Sequence, residues 1–274
     1  MNRISTHFLD LEGIKTAYYS TEGEGTPIVL LHGGGVDHAM LSWKTIMQTW
    51  TGSQPLVALD LPGYGNSDKP ELEYSLSFYT GFLNAFLDTL NAQNVTLCGL
   101  SMGGAIALQY ALRYPNYIGK LVLVAPWGVS ASVPYSLMGR LLVRLPLNQV
   151  AYKTLQNRWL AKNIIAGSLI GNREKITPEI LDEVQTAAHS KDAARVFQSF
   201  QISELWGDHP VGHLIPLLPQ IKVPTLFIQG DKDPGVKVGD VKQAAASMLN
   251  ARVEIFEHHK HWVQKESPER FVDI

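Results

Sequence analysis

The chain has a single cysteine, Cys98, in 274 residues, so no disulfide can form within it. Cys98 lies inside an apolar run, where a thiol behaves as a small buried hydrophobe. Neither sign of charge dominates. Lys and Arg number 23 against 25 Asp and Glu, a formal net charge of −2, which argues against a nucleic-acid groove. No uninterrupted apolar segment is long enough to cross a bilayer, so no stable membrane insertion is expected. Residues Met1 to His7 lack the apolar stretch of a signal peptide, and with the scarcity of cysteine this leads us to expect a cytoplasmic protein. There is no low-complexity tract or internal repeat, which excludes solenoids and disordered tails. What is present is an ordinary globular composition, 45% hydrophobic and 18% charged, on a chain long enough to bury a large core.

Strand and helix signals alternate through the first half. Pro27-Ile28-Val29-Leu30-Leu31 is a short apolar run stopped by His32-Gly33-Gly34-Gly35, the pattern of a buried parallel strand. Leu56 to Leu59, Val95 to Cys98 and Leu121 to Val124 repeat it, with a helical pattern over Ser77 to Leu90 between two of them. Thr6 to Leu11 and Lys15 to Ser20 read as antiparallel edge strands around Glu12-Gly13. After Pro126-Trp127-Gly128 the strand signal vanishes until Val223 to Gln229 and Arg252 to Phe256 restore it. The segment between reads as helices: Tyr135 to Leu145, Gln149 to Ile165, and Pro178 to Ala188 behind a Thr177 cap. The expected fold is therefore α/β, a doubly wound, mostly parallel sheet with a helical lid inserted after the sixth strand. Its expected parts are a first core segment 1–128, a lid 129–216 and a second core segment 217–274.

In such sheets ligands sit at the carboxyl ends of the strands, and four of these ends carry unusual chemistry. Gly99-Leu100-Ser101-Met102-Gly103-Gly104 joins a strand to a helix, with glycine two places to either side of a serine. That is the pattern of a nucleophile elbow: a turn so sharp that the serine is strained, exposed and set at a helix N-terminus. The glycine run after Leu31 offers bare backbone N–H groups to a negative oxygen. The Ile228 strand ends in Gly230-Asp231-Lys232-Asp233 and the Phe256 strand in His258-His259-Lys260-His261-Trp262. Serine, acid and histidine in this order, each after its own strand, is one arrangement that performs hydrolysis. No phosphate loop, dinucleotide fingerprint or cofactor site is expected. His209 and His213 stand four apart, but Pro210 between them breaks a shared helical face, so no metal site is expected there.

On these residues, together with Asp60-Leu61-Pro62-Gly63-Tyr64-Gly65-Asn66-Ser67, the chain resembles the α/β-hydrolase superfamily in its lid-bearing serine branch. The resemblance covers nearly everything outside the lid. It implies Ser101 as nucleophile, His261 as general base and acid, and an oxyanion hole from the N–H groups of Gly34 and Met102. In that family the acid usually lies three residues after the glycine closing its strand, which favours Asp233 over Asp231. His261, before Trp262 and Glu266-Ser267-Pro268, is favoured over His259. One departure stands out. Relatives usually carry glycine before that histidine, and here it is Lys260, which either disfavours protonated His261 or marks a loop that bends differently. Gly33, Leu100, Trp127 and Trp262 are the expected substrate contacts.

The implied reaction is hydrolysis of an ester or lactone of a small to medium apolar acyl compound. The chain is also similar to carbon–carbon hydrolases of ring-cleavage products, which share the His-Gly-Gly-Gly run and the tryptophan after the histidine. Those enzymes place asparagine before the serine and an arginine in the lid to hold a carboxylate. Here the residue is Leu100, and the Thr177 to Ala188 helix has no arginine. Haloalkane dehalogenases and epoxide hydrolases use aspartate where Ser101 stands. A reading of another class, a small-molecule receptor or signalling partner on the same fold, is separated from the enzyme by measured turnover.

Overall fold

The computed structural model describes residues 2–130, 143–145, 147–190, 192–206 and 214–274. Eight strands form one sheet: β1 (Ile4–Leu11), β2 (Ile14–Thr21), β3 (Ile28–Leu31), β4 (Leu56–Leu59), β5 (Val95–Leu100), β6 (Ile118–Val124), β7 (Thr225–Gly230) and β8 (Ala251–Phe256). Their spatial order is β1-β2-β4-β3-β5-β6-β7-β8. β1–β2 and β2–β4 pair antiparallel, and every other pair is parallel. The chain runs from β3 outward to β4, then returns past β3 to β5. The order therefore reverses at β3, and the crevice between the ends of β3 and β5 is a topological switch point.

Helices cover both faces. α1 (Ala39–Thr49) lies on one, joined there by the short α9 (Val263–Glu266) and α10 (Pro268–Val272). α2 (Leu76–Thr89), α3 (Met102–Arg113) and α8 (Val238–Ala246) lie on the other. Strand alternation sorts the core accordingly: Val95 and Leu97 of β5 pack into the α2–α3 side, Cys98 and Leu100 into the α1 side. Burial pushes the Cys98 thiol well above its ordinary range and leaves it inert.

Between β6 and β7 the described residues form α4 (Leu147–Leu155), α5 (Arg158–Ser168), α6 (Pro178–Ala188) and α7 (Ala193–Trp206). The single helix expected over Gln149 to Ile165 is thus two. Gln156 and Asn157 turn back by bonding to Lys153 O and Thr154 O, and the Asn157 side chain caps α5 at Leu160 N. Thr177 caps α6 as expected, with Pro178 in the first turn. The helical pattern over Tyr135 to Leu145 falls mostly outside the described residues, as do His209 and His213. α5 and α6 send Ala161, Ile165, Leu181 and Val184 into the core on the α1 side, while α7 sends Val196 and Phe200 into the other. The insertion therefore straddles the carboxyl edge of the sheet. Among the described residues no helix is long and apolar enough to cross a membrane.

Two glycines report how tightly helix and sheet meet. A methyl group at Gly103, in the first turn of α3, would overlap the Leu31 and His32 carbonyls of the neighbouring strand end, whereas one at Gly81 of α2 would meet nothing within 4 Å. We expect Gly103→Ala to lower unfolding free energy by about 3 kcal/mol. Gly81→Ala should raise it by about 0.5–1 kcal/mol, from helix propensity alone. Urea denaturation of the two variants beside the parent chain checks both signs.

Candidate active site

β5 ends in Leu100, and Ser101 turns the chain into α3 with φ 51° and ψ −111°, a region that side chains larger than glycine rarely occupy. Three backbone bonds hold it there: Ser101 N–H to Val124 O at 2.9 Å, and Trp127 and Ala105 N–H to Ser101 O at 2.9 and 3.1 Å. The next residue, Met102, opens α3, where first-turn N–H groups have no acceptor inside the helix.

The loop after β3 is fixed by buried polar groups. His32 is fully buried, and burial holds its imidazole below the ordinary histidine range against the charges of Asp37 and Asp60. It is neutral: Nε2 accepts from Leu61 N–H at 3.1 Å, so Nδ1 carries the proton and donates to Gly33 O at 2.7 Å. The Asp37 carboxylate accepts from Gly33 N–H at 2.8 Å, from His38 N–H and from the Ser42 hydroxyl. Asp60, also fully buried, accepts from Ala39 N–H at 2.9 Å, Asn66 N–H at 2.8 Å and the Tyr19 hydroxyl at 3.0 Å.

The loops after β7 and β8 meet at His261, whose Nδ1 lies 2.7 Å from Asp233 Oδ2. The other oxygen of Asp233 accepts from Gly235 and Val236 N–H at 2.7 and 3.2 Å, and Gln229 donates to Oδ2 at 3.1 Å. Burial alone would raise this carboxyl. The hydrogen bond and charge of His261, with the two N–H donors, outweigh it and hold Asp233 below the usual carboxylate range. His259 instead bonds Ser267 Oγ at 2.6 Å through Nε2 and Glu257 O through Nδ1. Asp231 pairs with Lys232.

Gly34, Ser101, Met102, Trp127, Asp233 and His261 come together around one cavity of about 250 Å³. Gly33, Leu100 and Trp262 do not join its lining. Gly33 has its N–H engaged by Asp37 behind the loop. Leu100 is fully buried on the α1 side, because residue alternation turns it away from the serine it precedes, and Trp262 is 4% exposed in the same core. The rest of the wall comes mainly from positions the sequence did not single out: Ser168, Leu169, Phe197, Phe200 and Gln201 of the insertion, and Val236 after β7. The apolar spacing in Ala193–Trp206 was the available signal for the α7 residues. Among the described residues no lysine or arginine side chain lines the cavity.

Lys260, the departure before His261, turns its ammonium away to the carbonyls of Ala166 and Gly167 at the end of α5. Behind Trp127 lies Glu204 of α7, 4% exposed. Burial pushes its carboxyl up to about 7, against the lowering effect of hydrogen bonds from Leu76 N–H and the Trp127 side chain.

A family model described as the alpha/beta hydrolase fold matches residues 26–268, and the chain belongs to that family. It is 29% identical to an uncharacterized protein of Mycobacterium tuberculosis, over 97% of this chain and 79% of that one. It is 27% identical to the 2-hydroxy-6-oxo-6-phenylhexa-2,4-dienoate hydrolase of Comamonas testosteroni, over 93% of this chain and 87% of that enzyme. Among solved structures a membrane phospholipase A superposes with a TM-score of 0.80 at 26% identity, covering 98% of this chain and 84% of that one.

The raised Glu204 carboxyl binds its proton more tightly when folded than when unfolded. Its contribution to stability is therefore full below about 4.5 and is lost as pH rises through about 7. The loss amounts to about 3 kcal/mol. Glu204→Gln keeps an acceptor for Leu76 and removes the titration, so the fall in Tm between pH 5 and 8 should shrink markedly in that variant.

Proposed function

We propose that this chain is a serine hydrolase cleaving a carboxylic ester or lactone of a small to medium apolar acyl compound, with the insertion acting as a lid. The observation that carries the reading is the Asp233–His261 hydrogen bond of 2.7 Å on the same cavity as a positive-φ serine. Because Nδ1 of His261 donates to Asp233, its Nε2 is the nitrogen left to accept a proton. Ser101 Oγ attacks the carbonyl carbon while Nε2 takes its proton. The imidazolium then gives that proton to the leaving oxygen, and a water repeats the sequence to free Ser101. Asp233 fixes the ring and stabilises its charged form. Met102 and Gly34 N–H groups receive the oxyanion, each contributing on the order of 10²–10³ in rate. Trp127, Leu169, Phe197, Phe200 and Val236 supply the apolar contact with the acyl part.

The likeness to the Comamonas testosteroni dienoate hydrolase supports a second reading, hydrolysis of a carbon–carbon bond in a diketo acid. Such a substrate carries a carboxylate, which needs a cation or several donors to replace its hydration. With no lysine or arginine on the cavity wall among the described residues, the neutral ester is favoured.

A fluorophosphonate probe should label the parent chain and leave Ser101→Ala unlabelled. Asp233→Asn should retain labelling at a rate lower by about 10³–10⁴. An unlabelled folded parent chain would refute the serine mechanism. Turnover of p-nitrophenyl esters beside a vinylogous diketo acid then separates the two substrate classes.

A further inference from the structure

The loop that carries His261 is clamped to the insertion along one short stretch. Lys260 Nζ donates to Ala166 O and, at 2.9 Å, to Gly167 O, carbonyls in the last turn of α5. A helix end leaves such carbonyls without partners inside the helix, and a cation there also meets the negative end of the helix dipole. Two residues on, Trp262 N–H donates to Leu169 O at 2.8 Å. The buried Glu266 carboxylate then accepts from Gly171 and Asn172 N–H at 2.7 and 2.6 Å. Gly171 approaches His258 O so closely that no side chain would fit. Residues 166–172 and 258–266 are thus bonded at three successive points. Ser168 and Leu169, inside the first of these stretches, line the same cavity as His261.

Lys260 is the member of this clamp whose side chain reaches α5, while Lys265 further on reaches Glu183 of α6 at 2.9 Å. Its ammonium bonds away from the cavity, so its charge is directed at α5 rather than at the imidazole beside it. We infer that Lys260 is a positioning residue that holds the Ser168–Leu169 wall against His261 and so sets the length of acyl group the cavity admits. This rests on the ester-hydrolase reading above. Without the lysine, the end of α5 keeps only the Trp262 and Glu266 attachments, and the wall can recede from the site.

The test compares Lys260→Met and Lys260→Arg with the parent chain on p-nitrophenyl acetate, butyrate and octanoate. For Lys260→Met, the kcat/KM ratio of octanoate to acetate should rise by about tenfold, mainly through a lower KM for the longer ester. Lys260→Arg should restore the parent ratio, because a guanidinium supplies the same donors. The midpoint of the acid limb of the pH–rate profile should stay in place in both variants. An unchanged ratio, or a moved midpoint at an unchanged ratio, overturns the inference, the latter in favour of a purely electrostatic role. If Lys260→Met does not fold, Leu169→Ala with the lysine intact must give the same shift toward octanoate, and its failure to do so counts equally against the wall. Backbone amide exchange over Leu169 to Asn172 should quicken in Lys260→Met and not in Lys260→Arg. That readout needs no turnover, so it judges the clamp even if fluorophosphonate labelling defeats the hydrolase reading.

Discussion

The positive-φ turn at Ser101 is the constraint around which the rest is arranged. A strained residue of this kind costs on the order of 1–3 kcal/mol and persists only where its surroundings over-determine it. Here β6 supplies an acceptor for its N–H, and its carbonyl takes two donors, one from α3 and one from Trp127. The strain also dictates the glycines. A side chain at Gly99 would overlap Gly103 O, and one at Gly103 would overlap Leu31 O, so α3 can sit this low against β3 and β5 only with bare backbone at both places. That low seat brings the helix N-terminus to the switch point between the two strand ends. The loop after β3 then has no choice but to pass over Met102, with Gly34 lying between it and Phe197 of the insertion.

Loops at a sheet edge are ordinarily the mobile part of a protein, yet those around Ser101 are pinned by buried polar groups. His32, Asp37, Asp60, Asp233 and Glu266 each sit at or below 8% exposure and each bonds backbone N–H or carbonyl groups of a loop. In a medium of low dielectric such groups are costly when unpaired and stiff when paired. The same residues would therefore be poor choices in a core designed only for stability. Their placement in the loops after β3, β4 and β7 and in the helix after β8 makes sense as a frame for positions that must be held to within a fraction of an ångström.

Much of this frame was legible in the sequence. Short apolar runs located β3 to β7, since a strand buried on both faces leaves no room for alternation, whereas the edge strand β8 carries Arg252 and Glu254 among its apolar residues. The four strand ends could be singled out because a serine, an acid and a histidine are rare in that order at such places, and the structure brings Ser101, Asp233 and His261 to one cavity. What escaped was everything decided by direction rather than position. Leu100 adjoins Ser101 in sequence, but the two-residue period of β5 sends it to the far core. Trp262 follows His261 and is likewise turned inward. The break at Asn157 was hidden because helical spacing continues across a cap, and Glu204 was hidden because nothing local marks an acid destined for burial. Lys260 was visible as a departure, but only the end of α5 reveals where its charge goes.

The cavity's electrostatics follow from the same placement. On the proposed mechanism, serine attack creates an imidazolium and an oxyanion inside a cavity lined mainly by apolar groups. In apolar surroundings each new charge needs a partner already in position, because water is not there to reorganise. On the proposed mechanism Asp233, held below the usual carboxylate range by His261 and by the Gly235 and Val236 N–H donors despite its burial, meets the first, and the backbone N–H groups of Gly34 and Met102 meet the second. A fixed cation on the wall would add nothing to this pairing and would favour an anionic ground state over the transition state. On that proposal the apolar lining from α5 and α7 belongs to the mechanism as much as to substrate choice. It keeps the dielectric low where charge develops, and it does so from an insertion held to the histidine loop itself.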